Sequence, residues 1–164
     1  MLFMQDLHRQ KEWQIKMNNI YIEKFKYEDI DNALKLEESH KIKILSKRIL
    51  ESEINEDGHY YIVAKEKETN TIVGYAGISF VLDIADLLSI VVDKNNTRRG
   101  IASLMLENII DYCQKNGIKE IILEVRESNT SAQSLYSKYD FKQISTRKNY
   151  YDNIENAIIM KREL

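Results

Sequence analysis

The chain has no proline, one cysteine and five glycines in 164 residues. Its loops must therefore be shaped by Gly, Asn and Asp, which enter turn conformations at low cost. The single thiol, Cys113, precludes an intramolecular disulfide. Charge of one sign is also missing: 24 Lys and Arg against 26 Asp and Glu leave a net charge of −2, which excludes the broad basic field of a nucleic-acid binder. His8, His40 and His59 lie far apart without ligand spacing, so no metal is expected. No apolar run approaches the ~20 residues that span a bilayer. The N-terminus also lacks a long apolar stretch followed by a small-residue cleavage site. A cytoplasmic protein without a membrane partner is the expectation. The length suits one domain with a substantial core.

What is present alternates between strand and helix patterns. Ile20, Ile22 and Phe25 start a short strand, and Asp29 to Glu38 carries Ile30, Ala33, Leu34 and Glu37 at helical spacing. Ser46 is placed to cap a second helix to Asn55, with Ile49, Leu50 and Ile54 as its stripe and Glu56-Asp57-Gly58 as its stop. Tyr60 to Glu66 and Thr71 to Leu82 read as strands joined by the polar loop Lys67 to Asn70. Gly74 and Gly77 inside the second strand mark a bulge, a close backbone approach or simply weak strand positions. A strand Leu87 to Val92, a long helix, a strand Glu120 to Val125, a short helix Thr130 to Tyr139 and two closing strands complete the pattern.

The most informative segment is the strand end Ile90-Val91-Val92 followed by Thr97-Arg98-Arg99-Gly100-Ile101-Ala102-Ser103 and an amphipathic run to Asn116. Ile101, Leu104, Met105, Ile109 and Tyr112 form the helical stripe, which places the turn at a helix N-terminus. Free N–H groups and the positive end of the dipole favour a phosphate there. Gly100 and Ala102 admit a ligand close to the backbone, and Arg98 and Arg99 add charge. A solvated basic turn at the head of an ordinary helix would show the same letters. The spacing fits neither the GxGxxG fingerprint nor the GxxxxGK[ST] loop. It resembles the acetyl-CoA motif of the GCN5-related N-acetyltransferases (GNAT), [Gln/Arg]-x-x-Gly-x-[Gly/Ala], with Thr97 in place of the first Gln or Arg. The resemblance implies that successive backbone amides hold the CoA pyrophosphate.

Downstream, Leu123-Glu124-Val125-Arg126-Glu127-Ser128-Asn129, then Leu135-Tyr136-Ser137-Lys138-Tyr139-Asp140-Phe141, Arg147-Lys148-Asn149-Tyr150-Tyr151 and Ala157-Ile158-Ile159-Met160 follow in order. This series resembles the ribosomal-protein-alanine, or RimI, branch of that family, with LEVR-x-S-N, LYxxLGF and R-x-N-YY elements. The resemblance covers about residues 20 to 164. Two departures stand out: Tyr139-Asp140 replaces Leu-Gly and should alter a helix exit, and Ile44-Leu45-Ser46 replaces Pro-Trp-Ser on the substrate side. The resemblance implies an α/β (α+β) fold, a single GNAT domain over residues 17–164. Its central sheet is mixed, mostly antiparallel and twisted, with about seven strands flanked by about four helices. Residues 1–16 stand outside the pattern, and Met17-Asn18-Asn19-Ile20 is a natural start. Lys11-Glu12-Trp13 can be encoded by a purine-rich ribosome-binding sequence upstream of the Met17 codon. The alternative is an amphipathic leader in which Leu2, Phe3, Leu7 and Trp13 pack on the domain.

Period-two alternation puts Ile121, Leu123 and Val125 on one face and Ile122, Glu124 and Arg126 on the other. Glu124 is expected among apolar neighbours with Arg126 nearby, a setting that suits a general base or simply a cross-sheet ion pair. By resemblance Glu124 is the base, Tyr136 is the acid that protonates the departing thiolate, and Asn129 contacts the cofactor. Packing of Tyr136 against the sheet and helix capping by Asn129 are the plainer roles. Tyr150 and Tyr151 fall in the peptide-facing segment, and Cys113 reads as a small core residue. The implied activity is acetyl transfer from acetyl-CoA to a protein N-terminal α-amine, that of a ribosomal-protein alanine. A small-amine acetyltransferase and an acyl-CoA-binding sensor are the alternatives. An α-amine of pKa about 7.8 is deprotonated a few hundredfold more often than a lysine of about 10.4, which makes it the easier nucleophile.

Overall fold

Seven strands form one sheet in the order β1-β2-β3-β4-β5-β7-β6: β1 Ile20–Lys24, β2 His59–Glu66, β3 Ile72–Val81, β4 Ile84–Val92, β5 Glu120–Arg126, β6 Lys142–Tyr151 and β7 Glu155–Glu163. The computed structural model describes residues 19–40 and 46–164. Four helices lie among them: α1 Ile30–Ser39, α2 Lys47–Glu53, α3 Ile101–Lys115 and α4 Thr130–Lys138. The β4–β5 pair is parallel, as its crossover through α3 requires, while β1–β2, β5–β7 and β6–β7 are antiparallel. The expected sheet and helix numbers are thus met. The leader positions before Asn19 and the Ile44-Leu45 pair lie outside the described residues.

Two compact units divide the chain. The first combines the described residues up to Gly77 with Ser89–Asn108. Its largely aliphatic core holds one aromatic cluster, in which Phe25 meets Tyr61 and Tyr75 edge-on at centroid distances of 6.2 and 6.1 Å. Both tyrosine hydroxyls are matched by carboxylates, Tyr61 donating to Glu53 at 2.5 Å and Tyr75 to the buried Glu37. Burial and these carboxylates push both phenols well above the usual tyrosine range. The buried Lys65 ammonium is held between Glu23 at 2.5 Å and Asp29 at 2.8 Å, which offsets its desolvation. Ser46 caps α2 as expected, accepting from the Ile49 amide at 3.3 Å, but Ile49 itself is exposed while Leu50 and Ile54 are buried.

The second unit combines Ile78–Leu88 with Ile109–Leu164. Here β4 begins three residues earlier than the apolar pattern indicates, because Leu82 takes a left-handed φ of 56° and closes the turn from β3 without a glycine or asparagine. The β6–β7 turn is easier to read: Asp152 and Asn153 both have left-handed φ, and the Ile154 amide donates to the Tyr151 carbonyl at 3.0 Å. Cys113 is buried, and its thiol is pushed up to about 12 by desolvation, which makes it an inert packing residue.

The two β3 glycines are close-packing positions. A Cβ on Gly74 would lie 3.0 Å from the Val91 carbonyl oxygen and 3.3 Å from Ile101, so the glycine lets α3 lie close on the sheet. At Gly77 a Cβ would fall 2.2 Å from two ring carbons of Tyr61, a fully buried side chain with no room to yield. Gly77→Val should cost about 1–3 kcal/mol through overpacking. Thermal unfolding should show a Tm lowered by several degrees; an unchanged Tm would mean that Tyr61 is not fixed where it lies.

Candidate active site

In the first unit the strand end Ile90-Val91-Val92 runs into a 3-10 turn, Lys94–Asn96, and then into the predicted turn. Val91 is buried, and the Val92 carbonyl lies 2.6 Å from His40 Nε2. Thr97, the residue that departs from the family motif, turns its hydroxyl back onto the Lys94 carbonyl at 3.2 Å. Arg98 has φ 60° and Gly100 φ 78°, two left-handed residues separated by one. The conformation is strained at arginine and free at glycine. After it α3 starts at Ile101, its first bond running from the Leu104 amide to the Gly100 carbonyl at 3.0 Å. Among the described residues, none of the amides from Thr97 to Ser103 donates to a backbone carbonyl. Such a row of free donors at the positive end of a 15-residue helix suits a pyrophosphate, and the missing Cβ of Gly100 leaves access to it.

The two arginines separate in role. Arg99 donates to Glu66 at 2.9 Å and also to Asn96, so it ties the turn to β2. Arg98 is exposed and has no ion pair among the described residues, which leaves it as the cation available to a phosphate.

In the second unit β5 alternates as expected, with Ile121, Leu123 and Val125 buried. Glu124 projects from the other face, opposite Ile159 of β7, with polar partners beside its apolar neighbours. Its Oε1 lies 2.8 Å from Arg147 Nη1. The expected neighbour Arg126 turns instead to Glu155 at 3.0 Å and Asp152 at 3.5 Å, and its guanidinium stacks 4.1 Å from the Tyr151 ring centre. Burial, and next the Glu124 charge, raise the Asp86 carboxyl above the usual carboxylate range. They raise the Tyr151 phenol in the same order. Tyr136 on α4 is 9% exposed, with its ring 5.7 Å from Phe141. Burial first, and the neighbouring Tyr151 second, push its phenol up to about 12. Tyr136 therefore keeps its proton at any physiological pH, and it packs as well, so its two candidate roles coexist.

Asn129 caps α4, its side chain accepting from the Ala132 amide at 3.1 Å. Gln133 holds the same helix to the end of β5 by donating to the Arg126 and Glu127 carbonyls at 3.0 and 2.9 Å.

The Acetyltransferase (GNAT) family model matches residues 16–141. A ribosomal protein bS18-alanine N-acetyltransferase of Haemophilus ducreyi is 36% identical over 143 residues, 85% of this chain and 97% of that protein. The Escherichia coli protein of the same name is 37% identical over 106 residues, 63% of this chain and 72% of that one. The crystal structure of the E. coli ribosomal-protein-S18-alanine N-acetyltransferase superposes with a TM-score of 0.80 at 30% identity, covering 88% of this chain and 93% of that one. Ard1 from Thermoplasma volcanium shares the fold, with a TM-score of 0.80 at 23% identity over 89% of this chain and 98% of that one. The chain belongs to the GNAT acetyltransferase family.

GNAT enzymes use acetyl-CoA, and the free amides and Gly100 fit its pyrophosphate. At the α4 exit, where the resembled pattern has Leu-Gly, Asp140 takes φ 63°, and the Tyr136 carbonyl accepts from the Tyr139 and Phe141 amides at 3.0 and 3.1 Å. Aspartate is among the few residues that tolerate this conformation. Sequence reasoning missed Asp86 and the Glu124–Arg147 pair. The parallel register, Asp86 with Ile122 and Leu87 with Leu123, sets Asp86 on the Glu124 face, and no local pattern encodes that register.

Two expectations follow. Gly100→Val should weaken acetyl-CoA binding by calorimetry, because a β-branched residue strains at φ 78° and fills the approach to the amides. Unchanged affinity in a folded variant would remove the turn from the cofactor site. The second concerns alkali. Tyr136 binds its proton more tightly folded, about 12, than at the ordinary 10.0. Its contribution to stability is complete below pH about 10 and lost as pH rises through about 12. Denaturant melts at pH 8 and 11 should show Tyr136→Phe losing less stability than wild type on this rise; equal losses would contradict the burial of the hydroxyl.

Proposed function

We propose that the chain transfers the acetyl group of acetyl-CoA to a protein N-terminal α-amine, that of the alanine of ribosomal protein bS18, with Glu124 as general base and Tyr136 as general acid. The observation that carries the acceptor is the 36% identity extending over 97% of a relative with that named activity. The geometry of β5 and α4 supports the assigned roles.

Bound acetyl-CoA supplies the activated thioester carbonyl. Amides from Thr97 to Ser103, with Arg98, would hold its pyrophosphate, and Asn129 lies at the head of α4 where the family pattern has a cofactor contact. Glu124 accepts the ammonium proton of the acceptor, directly or through water, generating the neutral amine that attacks. Tyr136 delivers its proton to sulfur as the thiolate departs, a transfer from a phenol near 12 that runs only when coupled to that departure. The electrostatic reach of Tyr151 to both Glu124 and Tyr136 supports its ring as the one that lines the acceptor path, and Tyr150 packs against it edge-on at 5.1 Å.

Mass spectrometry of acetyl transfer to peptides copying the host bS18 N-terminus, to lysine peptides and to polyamines tests the acceptor. The bS18 peptide should react fastest, at its α-amine. Preference for a polyamine would favour a small-amine enzyme, and tight CoA binding without any turnover would favour a sensor. For the mechanism, Glu124→Gln should lower kcat by about 10²–10⁴-fold with partial rescue at high pH, where more amine is already neutral. Tyr136→Phe should cause a loss in the same range while binding persists. A fully active Phe enzyme would reduce Tyr136 to packing.

A further inference from the structure

Glu124 meets a cation already built into the chain. The partner, Arg147, stands on β6, two strands from β5, and the register places Arg126, Ala157 and Arg147 side by side across β5, β7 and β6. From there the guanidinium reaches Glu124 two residues down the sheet, past the small Ala157. The pair is made at 2.8 Å, yet the arginine side chain is 55% exposed and the glutamate 31%. Exposed pairs of this kind are weak and readily exchanged. The guanidinium also lies 4.8 Å from the Tyr150 ring centre, so it keeps a second resting place on the hairpin once the carboxylate is taken. Asp86 from β4 and Tyr151 from β6 also face Glu124, and neither brings a positive charge.

We propose that Arg147 stands in for the acceptor's ammonium group: in the free enzyme it occupies Glu124, and the incoming N-terminal ammonium displaces it. The inference rests on Glu124 serving the acceptor amine. The guanidinium engages Oε1, and a second cation on the same carboxylate repels it, so an acceptor with its own positive charge competes directly with the exposed arginine for Glu124. Arg147 is then a positioning residue that selects for a protonated terminus and releases the base only when one arrives. Acceptors that lack the charge meet an occupied carboxylate.

Calorimetry on the full chain saturated with CoA tests the exchange without depending on turnover. The probes are an alanine-initiated bS18 peptide with a free α-amine and the same peptide N-acetylated. Arg147→Gln and Arg147→Ala should tighten the free-amine peptide by roughly two- to fivefold, the range that exposed ion pairs span, and leave the acetylated peptide unchanged. Arg147→Lys, which restores a competing cation, should return the affinity to near wild type. In a Glu124→Gln background the gain should vanish. A merely structural role would weaken both peptides alike. Unchanged or weaker free-amine binding in either neutral variant overturns the exchange, and if one variant does not fold the other decides. Failure of the base assignment reads differently: Glu124→Gln would then retain wild-type turnover whatever the Arg147 affinities show.

Discussion

The row of amides from Thr97 to Ser103, without backbone partners among the described residues, is the constraint around which the first unit is built. Free backbone donors are costly to leave unmatched away from water, so the segment must stay open to a ligand or solvent while its flanks are fixed. Several features do the fixing. The Asp93 amide bonds to the Val73 carbonyl at 2.8 Å, anchoring the chain where it leaves the strand. Arg99 ties the turn to Glu66, and Gly74 allows Met105 and Ile101 of α3 to approach the sheet. Left-handed Arg98 and Gly100 then redirect the chain into the helix. The strain at Arg98 is held by this frame, and strained backbone persists only where its surroundings overdetermine it.

In the second unit Tyr151 lies within electrostatic reach of both the Glu124 carboxylate and the Tyr136 phenol. Burial keeps Tyr136 protonated, whereas Glu124 stays nearer the surface with Arg147 as its counter-ion. The hairpin that carries the counter-ion is exposed along almost its whole first strand and is anchored by Arg126 to Glu155 and Asp152. A further tie, from the Ser128 amide to Glu155 at 2.8 Å, joins the hairpin to the loop after β5.

Legibility from sequence followed the range of the interaction. The Gly100 turn, the β5 alternation and the Ser46 cap are local, and each could be read from a few adjacent residues. The sheet class and the family were legible through the ordered run from Leu123 to Met160, whereas the strand order was not. The polar partners were not. Arg126 is nearer than Arg147 in sequence to Glu124, but strand pairing across β7 brings the distant arginine to the carboxylate. Arg99 reads locally as a cation for phosphate, and its pair with Glu66, 33 residues away, has no local signal. Leu82 escaped notice because a leucine in a left-handed turn violates the local rule that makes turns readable.

The most direct measurement is an acetyl-CoA titration of ¹⁵N-labelled protein followed amide by amide in NMR spectra. Hydrogen bonding to pyrophosphate oxygens should move the amides between Arg98 and Ser103 markedly downfield, with desulfo or dephosphorylated fragments that keep the pyrophosphate reproducing the shift. Binding of acetyl-CoA with these amides unmoved would contradict the account, because the cofactor would then be held somewhere else.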